Sequence, residues 1–221
     1  GILQLFFNAA DIVVVGRFAG NEALAAVGST SSLINLLINM FMGLSVGANV
    51  LVARFYGAGH KKDLNGMVHT AIATAIVSGL ILVIAGCVLA KPALQLMGTP
   101  DDVINMSILY MRIYFCGMPV MMTYNFGSAI LRAVGDTKRP LYYLMVAGVV
   151  NVILNLFFVI VFHMSVAGVA LATVISQAIS AALVIRCLVK TESDYRLNLK
   201  ELRIHPDKLI TRMLHMAGIG R

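Results

Sequence analysis

The chain has 221 residues, of which 59% are apolar and only 12% are Asp, Glu, Lys or Arg, and its mean hydropathy is +0.88. A soluble domain carries about twice that charge, and a short chain folded in water must cover most of its surface with polar side chains, so the composition excludes a soluble protein and predicts one embedded in a bilayer. The net charge of +7 would elsewhere suggest nucleic acid, but its placement in loops assigns it to membrane topology, and no nucleic-acid partner is expected.

Residues 1–15 form a partial apolar span. Interrupted by Asp11 and lacking a basic leader, it reads as the end of a helix and not as a signal peptide. Five complete spans follow at 24–53, 67–90, 104–131, 141–162 and 165–189, each reaching the ~20 residues that cross a hydrocarbon core. Runs of this length are helical, because only a helix satisfies its own backbone in lipid. In the fourth span Arg112 and Arg132 are separated by about 30 Å of helix, one for each interface. Pro119 predicts a kink between them, while the GxxxG of Gly43 and Gly47 and the Gly168/Ala172 pair predict close helix packing. Cys87, Cys116 and Cys187 are expected as buried thiols, neither bridged nor metal-bound.

Of the 17 Lys and Arg residues, all but Arg17, Lys91 and Arg112 fall in the loops at 54–66 and 132–140 or in the tail after 186. By the positive-inside rule those segments are cytoplasmic and the protein is a multi-pass protein of the plasma (inner) membrane. Residues 191–221 turn polar and read as a cytoplasmic linker. Within it Leu209, Ile210, Met213, Leu214 and Ala217 predict an amphipathic helix lying on the membrane lipid.

The informative residues are the polar ones inside spans, each of which costs free energy unless it faces a partner or water. Gln4, Asn8 and Asp11 form one stripe at i, i+4, i+7. Asn151 and Asn155 repeat the spacing in the fifth span, and Thr173, Gln177 and Ser180 in the sixth. Asn35 and Asn39 follow Ser31 in the second span, and Asn125 follows Thr123 in the fourth. Most such groups elsewhere only bond a neighbouring helix, at ~0.6–2 kcal/mol each. Asp11 differs: it is the acidic residue placed in a membrane core, and no Lys or Arg lies mid-span to neutralise it. A carboxyl near amide and hydroxyl oxygens suits a proton or a small hard cation such as Na⁺. No cofactor is implied, and no metal beyond Na⁺ at Asp11.

From Asp11-Ile12-Val13-Val14-Val15-Gly16 and Ala23-Leu24-Ala25-Ala26-Val27-Gly28 onward, the sequence resembles the multidrug and toxic compound extrusion (MATE) transporters. Gly43-Leu44-Ser45-Val46-Gly47-Ala48 through Gly57-Ala58-Gly59 is similar to that family's second helix and first cytoplasmic loop. Leu131-Arg132-Ala133-Val134-Gly135-Asp136-Thr137-Lys138-Arg139-Pro140 resembles its LRGxGDTKxP loop, with Ala133 in place of the usual Gly. Gly168-Val169-Ala170-Leu171-Ala172-Thr173 resembles the start of its sixth helix. The resemblance implies an all-α integral membrane fold, one six-helix lobe with a partial first helix out of twelve helices in two lobes. Residues 1–190 would be the amino-terminal lobe, and 191–221 the linker toward a second six-helix lobe absent from the chain.

It further implies a secondary antiporter, not an enzyme, that exports small amphipathic or cationic organic compounds in exchange for H⁺ or Na⁺. Cation coupling would fall on Asp11, Asn151, Asn155 and Thr173; some members carry a second carboxylate at the position of Asn155, which leaves the coupling ion open. Gln4, Asn8, Asn35, Asn39, Asn125 and Gln177 are the cavity-lining candidates. A flippase for lipid-linked oligosaccharides is the alternative, ranked second because no cation stands mid-span to meet a pyrophosphate. A membrane-embedded enzyme would need a catalytic cluster in the bilayer, whereas His60, His69, His163, His205 and His215 sit at boundaries or in the tail.

Overall fold

The computed structural model describes residues 9–10, 12–164 and 166–198. Among them the chain is mostly helical and contains no strand. A short helical stretch ends in a π-helical turn, p1 (Val15–Ala19), and a single residue, Gly20, joins it to α1 (Asn21–Ala58). There follow α2 (Lys61–Leu96), α3 (Ile104–Cys116), α4 (Met118–Ala133), α5 (Lys138–Leu156) with a π-helical turn p2 (Phe157–Val161), and α6 (Val166–Lys190). Four of these stretches are long and apolar enough to cross a membrane: α1, α2, Lys138–Val161 and α6. The broken pair α3–α4 covers the predicted fourth span.

Helix ends overrun the apolar runs that predict them. α1 has 38 residues and α2 has 36, about 55 Å each at 1.5 Å per residue, well beyond a hydrocarbon core of about 30 Å. Hydropathy marks only their apolar middles, so the expected loop at 54–66 contracts to Gly59 and His60. Gly59 makes that turn possible: its φ is +72°, and the His60 amide reaches back to the Phe55 carbonyl at 3.1 Å, the arrangement in which a left-handed residue closes a helix.

α4 is the hub, packing against α1, α2 and α6, and its residues 124–131 are all buried. Close approach is set mostly by glycines other than those expected. A Cβ on Gly79 would run into the Pro119 backbone, one on Gly86 into the Phe115 ring, and one on Gly127 into Val184. Gly43, by contrast, is exposed and has nothing within 4 Å of a built Cβ, so it seats no helix among the described residues. Gly168 fits the expectation, its Cβ position lying 3.0 Å from Phe158.

The fourth span breaks at Gly117, two residues before the expected Pro119 kink. Pro119 lies in the first turn of α4, where its missing amide costs no helical bond, while a Cβ on Gly117 would come within 2.7 Å of Val174. The thiols are less buried than expected: Cys116 is exposed and Cys87 and Cys187 are half-buried, all three free.

The basic loop after α4 has a physical logic of its own. Gly135, at φ +93°, lets the Asp136 amide bond the Leu131 carbonyl at 2.9 Å. Asp136 then accepts the Arg139 amide at 3.2 Å and pairs with the Arg139 guanidinium at 3.3 Å. Arg139 also donates to Cys187 Sγ at 3.2 Å, and the Tyr124 hydroxyl donates to the Pro140 carbonyl at 2.9 Å. One loop thus ties the ends of α4, α5 and α6.

After α6 the chain turns back as a non-helical strap, residues 191–198. The Leu197 amide bonds the Leu188 carbonyl at 3.0 Å and its side chain is fully buried. Asn65 Nδ2 donates to the Arg196 carbonyl at 3.1 Å, and Tyr195 stands edge-on to Tyr56. The first residues of the predicted linker are therefore docked against the lobe. The expected amphipathic helix lies outside the described residues.

Candidate cation and substrate site

α5 and α6 run antiparallel, and the Phe158–Gly168 contact sets their register. Asn155 and Asn151 then sit at the levels of Leu171 and Ile175, each within a turn of Thr173 or Gln177. The four polar side chains proposed for one face come to adjoining levels of one helix pair.

Their hydrogen bonding separates them. Thr173 donates to the Val169 carbonyl of its own helix at 3.0 Å, as Ser176 does to Thr173 and Ser180 to Gln177. Asn151 is 8% exposed and Asn155 fully buried. The buried carbonyl oxygens Asn151 Oδ1 and Gln177 Oε1 find no donor among the described residues. An unmet buried carbonyl costs about 1–3 kcal/mol, so the helix pair holds acceptor oxygens that a cation or a donor from another element would satisfy.

Asp11, Gln4 and Asn8 lie outside the described residues. What surrounds that segment is described: Val14 is buried, and p1 packs against α1, α6 and p2. The turn p1, four residues beyond Asp11 in the sequence, therefore lies against the turn that follows Asn155.

The remaining cavity candidates divide. Asn35 and Asn39 are exposed on α1 beside exposed Leu36 and Met40. Asn125 is 8% exposed, within α4. Among the described residues Ser31 and Thr123 bond carbonyls of their own helices, Val27 at 2.8 Å and Pro119 at 2.7 Å.

Sequence reasoning missed two features. Asn49 donates to the Ala129 carbonyl at 2.9 Å, an amide tie between α1 and α4. Thr70, Thr74 and Ser78, spaced i, i+4, i+8 on α2, are buried, and the Thr74 and Ser78 hydroxyls find no partner among the described residues. That spacing is legible in the sequence, but hydroxyls inside an apolar run give too weak a hydropathy signal to draw the eye.

Comparison with known proteins meets this geometry. The chain is 37% identical over 153 residues to the probable multidrug resistance protein YoeA of Bacillus subtilis, covering 69% of the chain and 33% of that protein. It is 33% identical over 181 residues to the probable multidrug resistance protein YpnP of the same organism, covering 80% and 40%. A crystal structure of MATE in the bent conformation superposes with a TM-score of 0.87 at 24% identity, over 97% of this chain and 48% of that one. The chain thus spans half or less of the proteins it matches. Residues 1–157 match the MatE family model, and the chain belongs to the MATE family.

Proposed function

We propose that this chain is the amino-terminal lobe of a secondary antiporter that exports amphipathic, often cationic, organic compounds in exchange for H⁺ or Na⁺. The observation that carries this reading is the pair of buried carbonyl oxygens, Asn151 Oδ1 and Gln177 Oε1, which find no donor among the described residues and lie on adjoining levels of α5 and α6. A hard cation takes oxygen ligands of this kind. Among the described residues no three His, Cys, Asp or Glu side chains gather, so neutral oxygens are what this part of the lobe offers. Asp11 supplies the charge: it stands four residues before p1, which packs on p2, the turn beginning two residues beyond Asn155. Asp11, Asn151, Asn155 and Thr173 form the coupling set. Gln4, Asn8, Asn35, Asn39, Asn125 and Gln177 line the path of the substrate.

Cation entry at Asp11 changes the charge of the first helix and its packing on p2 and α6, and releases substrate from the lobe. For coupling, the ion must bind one conformation better than the other; a shift from 1:99 to 99:1 takes a differential affinity of about 10⁴. The basic end of the helices, with Arg54, Lys61, Arg132 and Lys190, faces the cytoplasm. The test is efflux by the full-length transporter carrying Asp11→Asn, measured under imposed proton and Na⁺ gradients. Loss of export driven by one gradient supports the assignment and names the ion; undiminished export with normal ion dependence overturns it.

A further inference from the structure

Away from the polar helix pair, two thiols on different helices stand face to face. Cys87 Sγ on α2 and Cys116 Sγ at the last residue of α3 are 4.0 Å apart. They are held there by packing: Gly86 admits the Phe115 ring at a distance no other residue would allow, and Arg112 Nε donates to the Cys87 carbonyl at 3.3 Å. Lys91 lies one turn beyond Cys87 and Arg112 one turn before Cys116, and both cations are exposed. The pair therefore sits about 6 Å along its helices from two exposed cations, side chains long enough to reach toward an interface. Cys116 is exposed and Cys87 half-buried, so neither sulfur is sealed within the lobe and each is within reach of the other.

We infer that Cys87 and Cys116 are a redox pair that a hydroperoxide converts to an intramolecular disulfide, stapling α2 to the end of α3 beside the Gly117 break. The Cys116 thiolate attacks the peroxide, the O–O bond breaks, an alcohol leaves (water, for hydrogen peroxide), and Cys116 becomes a sulfenic acid. Cys87 sulfur then attacks Cys116 sulfur, the S–O bond breaks, and hydroxide leaves as water with the remaining thiol proton. The two sulfurs lose two electrons, which reduce the peroxide. The product fixes α3 on α2, while α4 remains attached through Gly117, whose contact is Val174 of α6.

Cys187 is the internal control. It lies at the far end of α6, bonded to Arg139, with the length of α4 between it and Cys116. The full-length transporter in lipid nanodiscs is treated with hydrogen peroxide, then denatured, alkylated with a mass-tagged maleimide and mapped by peptide. Of this chain's three cysteines, all should alkylate before treatment and only Cys187 after it, with a Cys87–Cys116 linked peptide two hydrogen atoms lighter than its parts. Dithiothreitol should restore all three. In Cys87→Ser, peroxide should leave Cys116 as a sulfenic acid that dimedone traps. Three alkylated cysteines after peroxide, a bridge through Cys187, or a bridge between molecules alone would each overturn the pairing.

Discussion

Leu197→Ala isolates what holds the strap to the lobe. Leu197 is fully buried in a segment without helix of its own, and its amide bonds Leu188 while the next amide, Asn198, donates to His69 Nε2 at 3.0 Å. His69 in turn donates from Nδ1 to the Asn65 carbonyl at 2.8 Å, so the strap rests on one apolar anchor and a short polar ladder. Leu→Ala at a buried site costs 2–5 kcal/mol; at an edge where neighbours can close in, the low end applies, about 2.8 kcal/mol. That is about a 100-fold rise in the open population. Hydrogen exchange reads it locally: the amides of Leu197 and Asn198 should exchange about 100-fold faster, while amides in the middle of α2 and α4 hold their rates, because the strap opens without the bundle. Unchanged exchange at Leu197 would refute the anchor, and equal acceleration through α4 would show that the strap is no separate unit.

Gly86→Ala should lower the thermal stability of the purified protein by about 1–3 kcal/mol, since the new methyl overlaps the Phe115 ring; combining it with Phe115→Leu should recover part of the loss, and stability equal to the parent would contradict the packing. At Gly135, φ +93°, Val should cost more than Asn, with the Ala penalty about 1–2 kcal/mol, read by thermal denaturation; an equal effect of Val and Asn would show that the loop does not need the left-handed conformation. Asn151→Leu removes a buried carbonyl that has no donor among the described residues, so stability should hold or rise by about 1 kcal/mol while ion-dependent efflux falls; joint loss of folding and efflux would make Asn151 a packing residue.

Much of the fold is written in local pattern. The helical state of the spans and the place of the 132–140 turn follow from apolar run length and from Gly135 and Asp136, because a bilayer permits few alternatives. Helix ends were less legible, since residues such as Arg54 and Lys61 continue a helix beyond lipid with no change that hydropathy records. The docked strap was not legible at all: Leu197 among charges has the same local pattern whether it floats in a linker or plugs the base of a bundle, and only tertiary contact decides. The glycines teach the same lesson. Gly43 and Gly47 carry the recognised spacing, yet Gly79 and Gly86, seven apart on α2, meet Pro119 and Phe115, because a close approach depends on what the partner presents.

The polar side chains of the spans sort by chemistry more than by position. Thr30, Ser31, Ser45, Thr70, Thr123, Thr173, Ser176 and Ser180 all donate to carbonyls three or four residues back on their own helices. A hydroxyl so bonded is cheap in lipid and says little about function. An amide reaches no such carbonyl with its oxygen, which must find a donor elsewhere: Asn49 bridges to α4, whereas Asn151 and Gln177 present oxygens with none among the described residues. The amides therefore carry the site's signal, and Thr173 joins them for a different reason. Its one proton is committed to Val169, which leaves its oxygen able only to accept, the state in which a hydroxyl can face a cation.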